Sequence, residues 1–177
     1  RSQVHALDLS VVGLQLHRAR RLPFPSWPIC GDLFRLPYRA QTMDGIFNFG
    51  VMEHFSEEAI EQILAEFHRV LKPGGTIVLF WPPRFGLSVI VLSTFLWLVN
   101  AFRRTPLRLY PDEISRIRSF AWVRALMARN RLRVIGTLFG WRDLFTFVTV
   151  VAQPMAVDAA RTDGRVTQED AVCQPVG

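Results

Sequence analysis

The sequence predicts an α/β layered domain, and three local patterns carry that reading. An amphipathic helix, a glycine-bearing turn and a buried apolar strand follow one another over residues 56–80. Short apolar runs at residues 3–9, 29–30 and 45–49 each end at an acid or a glycine, as strands running into loops do. Two further apolar, β-branched runs, residues 132–139 and 144–152, flank Gly140-Trp141-Arg142-Asp143 and read as an antiparallel pair closing the sheet.

Taken in order, residues 3–9 form a strand closing on Asp8, and Ser10 stands as the N-cap of a helix over 11–20 with Val12, Leu14 and Leu16 among its apolar residues. Arg18, Arg20 and Arg21 sit at its C-terminal end, where positive charge suits the helix dipole. Pro23, Pro25 and Pro28 predict a loop, leaving Ile29 and Cys30 as a brief strand before Gly31-Asp32. Asp44 opens the strand over 45–49, which ends at Gly50. Ser56 is the N-cap of a helix over 56–71, with Glu57 and Glu58 in its first turn. Ile60, Ile63, Leu64, Phe67, Val70 and Leu71 share one face of it, and Glu61, Gln62, Glu66 and Arg69 the other. Pro73-Gly74-Gly75 then turns the chain into a buried parallel strand over 76–80.

Residues 85–102 carry no charge and lie between Arg84 and Arg103-Arg104. As a helix they would reach about 27 Å, the lower edge of a bilayer span. Ser88, Ser93, Thr94 and Asn100 interrupt the run, so a buried cap helix beside the sheet, an interfacial segment and a transmembrane span all remain open. Residues 114–130 read as a basic amphipathic helix broken near Ser119. From Pro154 the chain is polar and aperiodic, and residues 154–177 are expected to be a disordered tail.

The 177 residues suffice for one domain; 50% hydrophobic with 20% charged excludes a disordered chain. Cys30 and Cys173, far apart, exclude a disulfide framework and suit a reducing compartment. The net charge of +6 is arginine-borne, Lys72 being the only lysine. Ten arginines between residues 101 and 142 oppose only Asp112 and Glu113, a stretch suited to lipid headgroups or an anionic substrate, or to a solvated face. No zinc-finger or RNP-like motif occurs, so a nucleic-acid partner is not expected. Nor do His5, His17, His54 and His68 stand at metal-ligand spacings, so no metal is expected.

Four elements bear chemistry: Ala6-Leu7-Asp8-Leu9-Ser10, an acid at a strand tip; Gly31-Asp32-Leu33 with Leu36-Pro37-Tyr38; Met43-Asp44-Gly45-Ile46-Phe47 running to Val51-Met52-Glu53-His54-Phe55; and Arg69-Val70-Leu71-Lys72-Pro73-Gly74-Gly75. In that order the chain resembles the class I S-adenosylmethionine-dependent methyltransferases of the small-molecule group, strongly over residues 4–80 and weakly to 152. The resemblance implies a Rossmann-like, seven-stranded sheet with helices on both faces, S-adenosylmethionine as cofactor, and methyl transfer to a small, apolar or lipid-like acceptor.

By the same resemblance, Asp8 matches the acid that holds the ribose hydroxyls, and Leu9 its neighbour beside the adenine. Asp32 matches the acceptor for the adenine amino group, with Gly31 and Leu33 at the ring. Phe49, Gly50 and Val51 match the strand end beside the methionine portion. Asp8 and Asp32 also have a simpler use, capping local N–H groups. His54 is a candidate general base where acceptor meets cofactor, or else a structural residue of the pocket. Asp44 is expected to hold the start of its strand.

One departure matters. The family carries a first strand and a glycine-rich turn ahead of the acid that Asp8 matches, and only seven residues precede Asp8 here. Residues 1–153 are therefore expected to be the C-terminal portion of a methyltransferase domain, with a cap insertion at 82–111. The expected protein is cytoplasmic, peripheral to an anionic membrane if the apolar run inserts; alternatives are a non-catalytic binding module and a membrane-associated interaction protein.

Overall fold

A computed structural model describes residues 3–20, 22–85, 87–101, 114–141 and 145–155. Strand β1 (Val4–Asp8) leads into α1 (Val11–Ala19), whose N-cap Ser10 accepts a hydrogen bond from the Gly13 amide. β2 (Ser26–Cys30) pairs parallel with β1, Ala6 opposite Pro28 and Asp8 opposite Cys30. β3 (Met43–Phe49) runs through a 3₁₀ turn (Met52–His54) into α2 (Glu57–Val70), capped by Ser56 with Glu57 and Glu58 in the first turn. β4 (Leu71–Trp81) and α3 (Leu87–Ala101) follow, then α4 (Phe120–Arg129), β5 (Leu132–Leu138) and β6 (Val148–Pro154).

The strands form two sheets. β1 and β2 make a parallel pair, while the other four lie in the order β3-β4-β6-β5. β3 and β4 are parallel; β6 pairs antiparallel with both β4 and β5, which is the C-terminal pair expected from the sequence. The core sits on one face of the four-stranded sheet. Ile77, Leu79 and Trp81 of β4 stand opposite Ala152, Val150 and Val148 of β6, all fully buried. Ile60, Ile63, Leu64 and Phe67 of α2 and Val123, Leu126 and Met127 of α4 complete it. On the opposite face Phe47, Phe49 and Leu138 remain more than half exposed, with Phe47 and Phe49 in tilted ring contact with Phe80 and Phe49 with Phe147.

Several expectations need correction. β2 extends through Pro28, because this edge strand pairs on one side only and proline's missing donor is tolerated there. β4 begins at Leu71, not Thr76: Met43 pairs with Leu71 and Gly45 with Thr76, so Pro73-Gly74-Gly75 is an excursion within the strand, with Gly74 at φ +79°. Residues 114–119 are not helical. Ile117, fully buried, bridges to Pro83, and the helix starts only after its N-cap Ser119. α3 is not a buried cap: Val91, Phe95, Trp97 and Leu98 are 52% to 72% exposed. No described helix is long and apolar enough to cross a membrane. The α/β layering agrees with the expected fold class, and six strands in two sheets are described. Pro154 belongs to β6, opposite Leu132, and the rest of the expected tail after Met155 lies outside the described residues. Asp44 receives Lys72 Nζ at 2.7 Å, pinning the start of β3 to β4 as anticipated.

Candidate cofactor site

The sequence-predicted site residues lie at or just past the carboxyl ends of β1, β2 and β3, the ends at which an open α/β sheet binds ligands. Asp8 is exposed at the tip of β1, and its Oδ1 accepts from the Ser10 amide at 2.8 Å. Its carboxylate leans over the first turn of α1, so a Cβ on Gly13 would collide with Oδ2. Asp32 stands two residues beyond Asp8's register partner Cys30, exposed, with Oδ1 accepting from the Phe34 amide at 3.0 Å. Both acids thus do the simpler capping work. A carboxylate offers about four lone-pair directions, however, and one local bond leaves it able to accept hydroxyl or amino protons.

Gly31 between them is a packing glycine: a Cβ there would come within 2.9 Å of Leu7 Cδ1 and 3.2 Å of Pro37 Cδ. Its amide donates to Asp8 O at 3.2 Å, tying β2's exit to β1. Leu33 packs on the core while Leu9 is 72% exposed, available to a flat ring. Past β3, Gly50 takes φ +66°, a left-handed conformation that favours glycine, and donates to Phe80 O at 3.2 Å. Val51 follows, its carbonyl accepting from the His54 amide at 3.2 Å. The His54 ring is half-buried and has no hydrogen-bond partner among the described residues.

Sequence reasoning missed what holds this rim in place. Glu66 Oε1 accepts from the Leu36 amide at 2.7 Å. Arg69 donates to both Glu66 oxygens (2.6 and 2.7 Å) and to the carbonyls of Tyr38 (2.9 Å) and Leu36 (3.2 Å). The Arg69 guanidinium holds the Glu66 carboxyl below its ordinary range, and burial pushes the Tyr38 hydroxyl up. Glu66 and Arg69, placed on a polar helix face by periodicity alone, clasp the loop that carries Asp32 and Leu33 to α2. Their i, i+3 spacing was the available signal. A second tie covers the 3₁₀ turn: Glu53 O accepts from the Ile114 and Ser115 amides, and Ser115 Oγ donates to Met52 O at 2.9 Å. No group of three or more metal-ligating side chains occurs among the described residues.

Strand order, register and a ligand rim at the carboxyl ends define a Rossmann-like α/β fold. Residues 1–79 match the family model described as a methyltransferase domain. No curated protein matches it. Among solved structures it is similar to LepI in complex with SAM (13% identity, TM-score 0.64, covering 88% of this chain and 37% of that one). It is similar also to magnesium protoporphyrin IX methyltransferase from Synechocystis with bound SAH (16%, 0.60, 86% and 64%). A third is the 1,6-didemethyltoxoflavin-N1-methyltransferase of Burkholderia thailandensis (16%, 0.59, 86% and 61%). The chain thus spans about two fifths of LepI and under two thirds of the other two.

Proposed function

We propose that this chain acts in S-adenosylmethionine-dependent methyl transfer to a small, apolar or lipid-like acceptor. One observation carries the reading: Asp8 ends β1, and Asp32 and Gly50 follow the ends of β2 and β3, all inside the stretch that matches the methyltransferase family model. When bound, S-adenosylmethionine supplies a methyl group on a sulfonium, already a reactive electrophile. Asp8 would accept the ribose hydroxyls with Leu9 against the adenine, Asp32 would accept the adenine amino protons beside Gly31 and Leu33, and Phe49, Gly50 and Val51 would line the methionine side. His54 is suited to take a proton from a hydroxyl acceptor, and positioning does the rest.

β1 has only β2 as a neighbour and β3 only β4, so each leaves one edge unpaired among the described strands.

Calorimetry with S-adenosylmethionine, on the polypeptide with any upstream in-frame sequence, tests the cofactor assignment. Asp8→Ala should weaken binding by about 1–3 kcal/mol. Asp8→Asn keeps an acceptor for the Ser10 amide and separates capping from ligand binding: it should lose affinity too. Unchanged affinity in both variants would favour the second reading, a non-catalytic binding module, which the capping bonds of Asp8 and Asp32 support. The 177 residues alone should bind weakly.

The lipid-like acceptor and a cytoplasmic, membrane-peripheral location are supported by α3. Val91, Phe95 and Leu98 fall at i, i+4 and i+7, an exposed apolar stripe on a helix of about 22 Å, shorter than a bilayer core. Arg103 and Arg104, which follow the apolar run in the sequence, lie outside the described residues. Co-sedimentation with anionic vesicles that weakens with salt and in Arg103→Glu/Arg104→Glu is the expected result; turnover of a small polar acceptor without vesicle binding would remove the lipid claim.

A further inference from the structure

A cavity of 620 Å³ opens where α2 begins, lined by Ser56, Glu57 and Glu58 just after the 3₁₀ turn. Its volume is within the range of small-molecule sites. Three of its walls are guanidinium-bearing: Arg84 just past β4, and Arg116 and Arg118 from the strap that precedes α4. Trp122 forms part of the lining, with the Arg118 guanidinium 5.3 Å from its ring centroid.

The lining carries Arg84, Arg116 and Arg118 together with Glu57 and Glu58. Glu57 is engaged by Arg129 at 2.7 Å and Arg118 at 3.4 Å, so one carboxylate already serves two cations. Glu58, the other acid in the lining, is held below its ordinary range by its own backbone amide and by Ser56. The Arg84 side chain has no carboxylate partner among the described residues, while its backbone amide is fixed to Ile117 O at 3.0 Å. Among the described residues the buried Trp122 indole N–H has no acceptor, and such a donor costs free energy unless something accepts it.

We infer that this cavity seats an anionic group, a carboxylate or phosphate, of the methyl acceptor, held by Arg84, Arg116 and Arg118 with the Trp122 N–H as an additional donor. Planar guanidiniums bind either oxyanion through two parallel N–H···O bonds. The strap that supplies Arg116 and Arg118 is stitched to the 3₁₀ turn through Glu53 O and Met52 O, so the anion pocket and the turn bearing His54 form one wall. Arg84-Phe85 leads directly into α3, whose apolar surface is a path for the remainder of an amphiphilic molecule. The inference rests on the methyltransferase reading for the word acceptor; the anion pocket itself does not.

The probe is decyl phosphate below its micelle concentration, titrated calorimetrically into the polypeptide with any upstream in-frame sequence, and compared with decanol. Decyl phosphate should bind at least about tenfold more tightly than decanol, and Arg84→Ala/Arg116→Ala should remove that difference. Arg84→Lys/Arg116→Lys, which keeps charge and bulk, should retain part of it, and Trp122→Phe should weaken it severalfold. Arg133→Ala, on β5, should change nothing. S-adenosylmethionine affinity, measured on the same variants, should stay at the wild-type value. Equal affinity for decyl phosphate and decanol, or a phosphate preference that survives Arg84→Ala/Arg116→Ala, overturns the pocket. Binding to phosphatidylglycerol vesicles but not to decyl phosphate overturns it in favour of membrane docking. A failure to bind S-adenosylmethionine in the unmutated protein sinks the cofactor assignment instead, and leaves the phosphate titration readable.

Discussion

The two sheets of this molecule are unequally supported. The β3-β4-β6-β5 sheet encloses a run of fully buried side chains from Met52 to Ala152, with Phe67 and Trp81 at its centre. The β1-α1-β2 unit, by contrast, buries Leu14 alone, and leaves Leu9, Val11, Val12, Leu16 and Trp27 more than half exposed. Yet both acids expected to hold the cofactor, Asp8 and Asp32, belong to the weaker unit. The chemistry therefore rides on the part of the fold that the described residues stabilise least, and what joins it to the stronger part becomes functionally important. Ligand-binding segments are commonly drawn from the low-stability end of a domain.

The largest expected effect breaks the stronger half. Phe67→Ala empties a fully buried site between α2 and the sheet and should cost about 3–5 kcal/mol in urea unfolding. Leu16→Ala, on the exposed face of α1, should stay within about 0.5 kcal/mol. Comparable losses at the two positions would mean that the β1-α1-β2 unit carries more of the core than its burial indicates.

A smaller effect should come from cutting the clasp. Glu66→Gln loses the charge that Arg69 pairs with and weakens the acceptor for the Leu36 amide, at a cost of about 1–3 kcal/mol. The loss should be local: hydrogen exchange should accelerate in β1, β2 and residues 31–38 while β4 and β6 keep their protection. If protection falls equally everywhere, Glu66 is a global stability residue and the two regions are not separable.

The contrast also marks where sequence reading succeeds. In the stronger half, periodicity is tied to burial: Ile60, Ile63, Leu64, Phe67 and Val70 repeat at helical spacing, and all are buried against the sheet. Motif order likewise put Asp8, Asp32 and Gly50 at the strand ends that the structure gives them. What was illegible depends on partners distant in the chain. Pro28 reads as a loop residue unless one knows that β2 is an edge, and residues 114–119 read as helix unless one knows that Ile117 bridges to Pro83. Glu66 and Arg69 looked like solvated charges because their targets, Leu36 and Tyr38, lie some 30 positions away. α3 erred the other way: an uncharged run suggests burial, but its side chains at Val91, Phe95, Trp97 and Leu98 face outward.

The smallest expected effect is a pH dependence that separates α2's two contacts. Burial and the nearby Arg131 charge hold His68 below its ordinary value of 6.5, so the folded state keeps the ring neutral where the unfolded chain begins to protonate it. The resulting stability is complete above about pH 6.5 and declines as pH falls from there to the depressed folded value, because the unfolded state binds the extra proton. Glu66 acts at lower pH with the same sign: its carboxyl, held below 4.5 by Arg69, contributes stability above that value and loses it as pH falls through the folded one. Urea midpoints should therefore drop in two stages on acidification. His68→Gln should flatten the upper stage and leave the lower, and Glu66→Gln should do the reverse. The two should also differ in place: His68 faces Arg131, next to β5, so its stage reports the stronger sheet, whereas the Glu66 stage should coincide with accelerated exchange in β1 and β2. A midpoint that is flat down to about pH 5 in the unmutated protein would show that His68 titrates alike in both states, and would leave the Glu66–Arg69 clasp as the only pH-sensitive joint between the two regions.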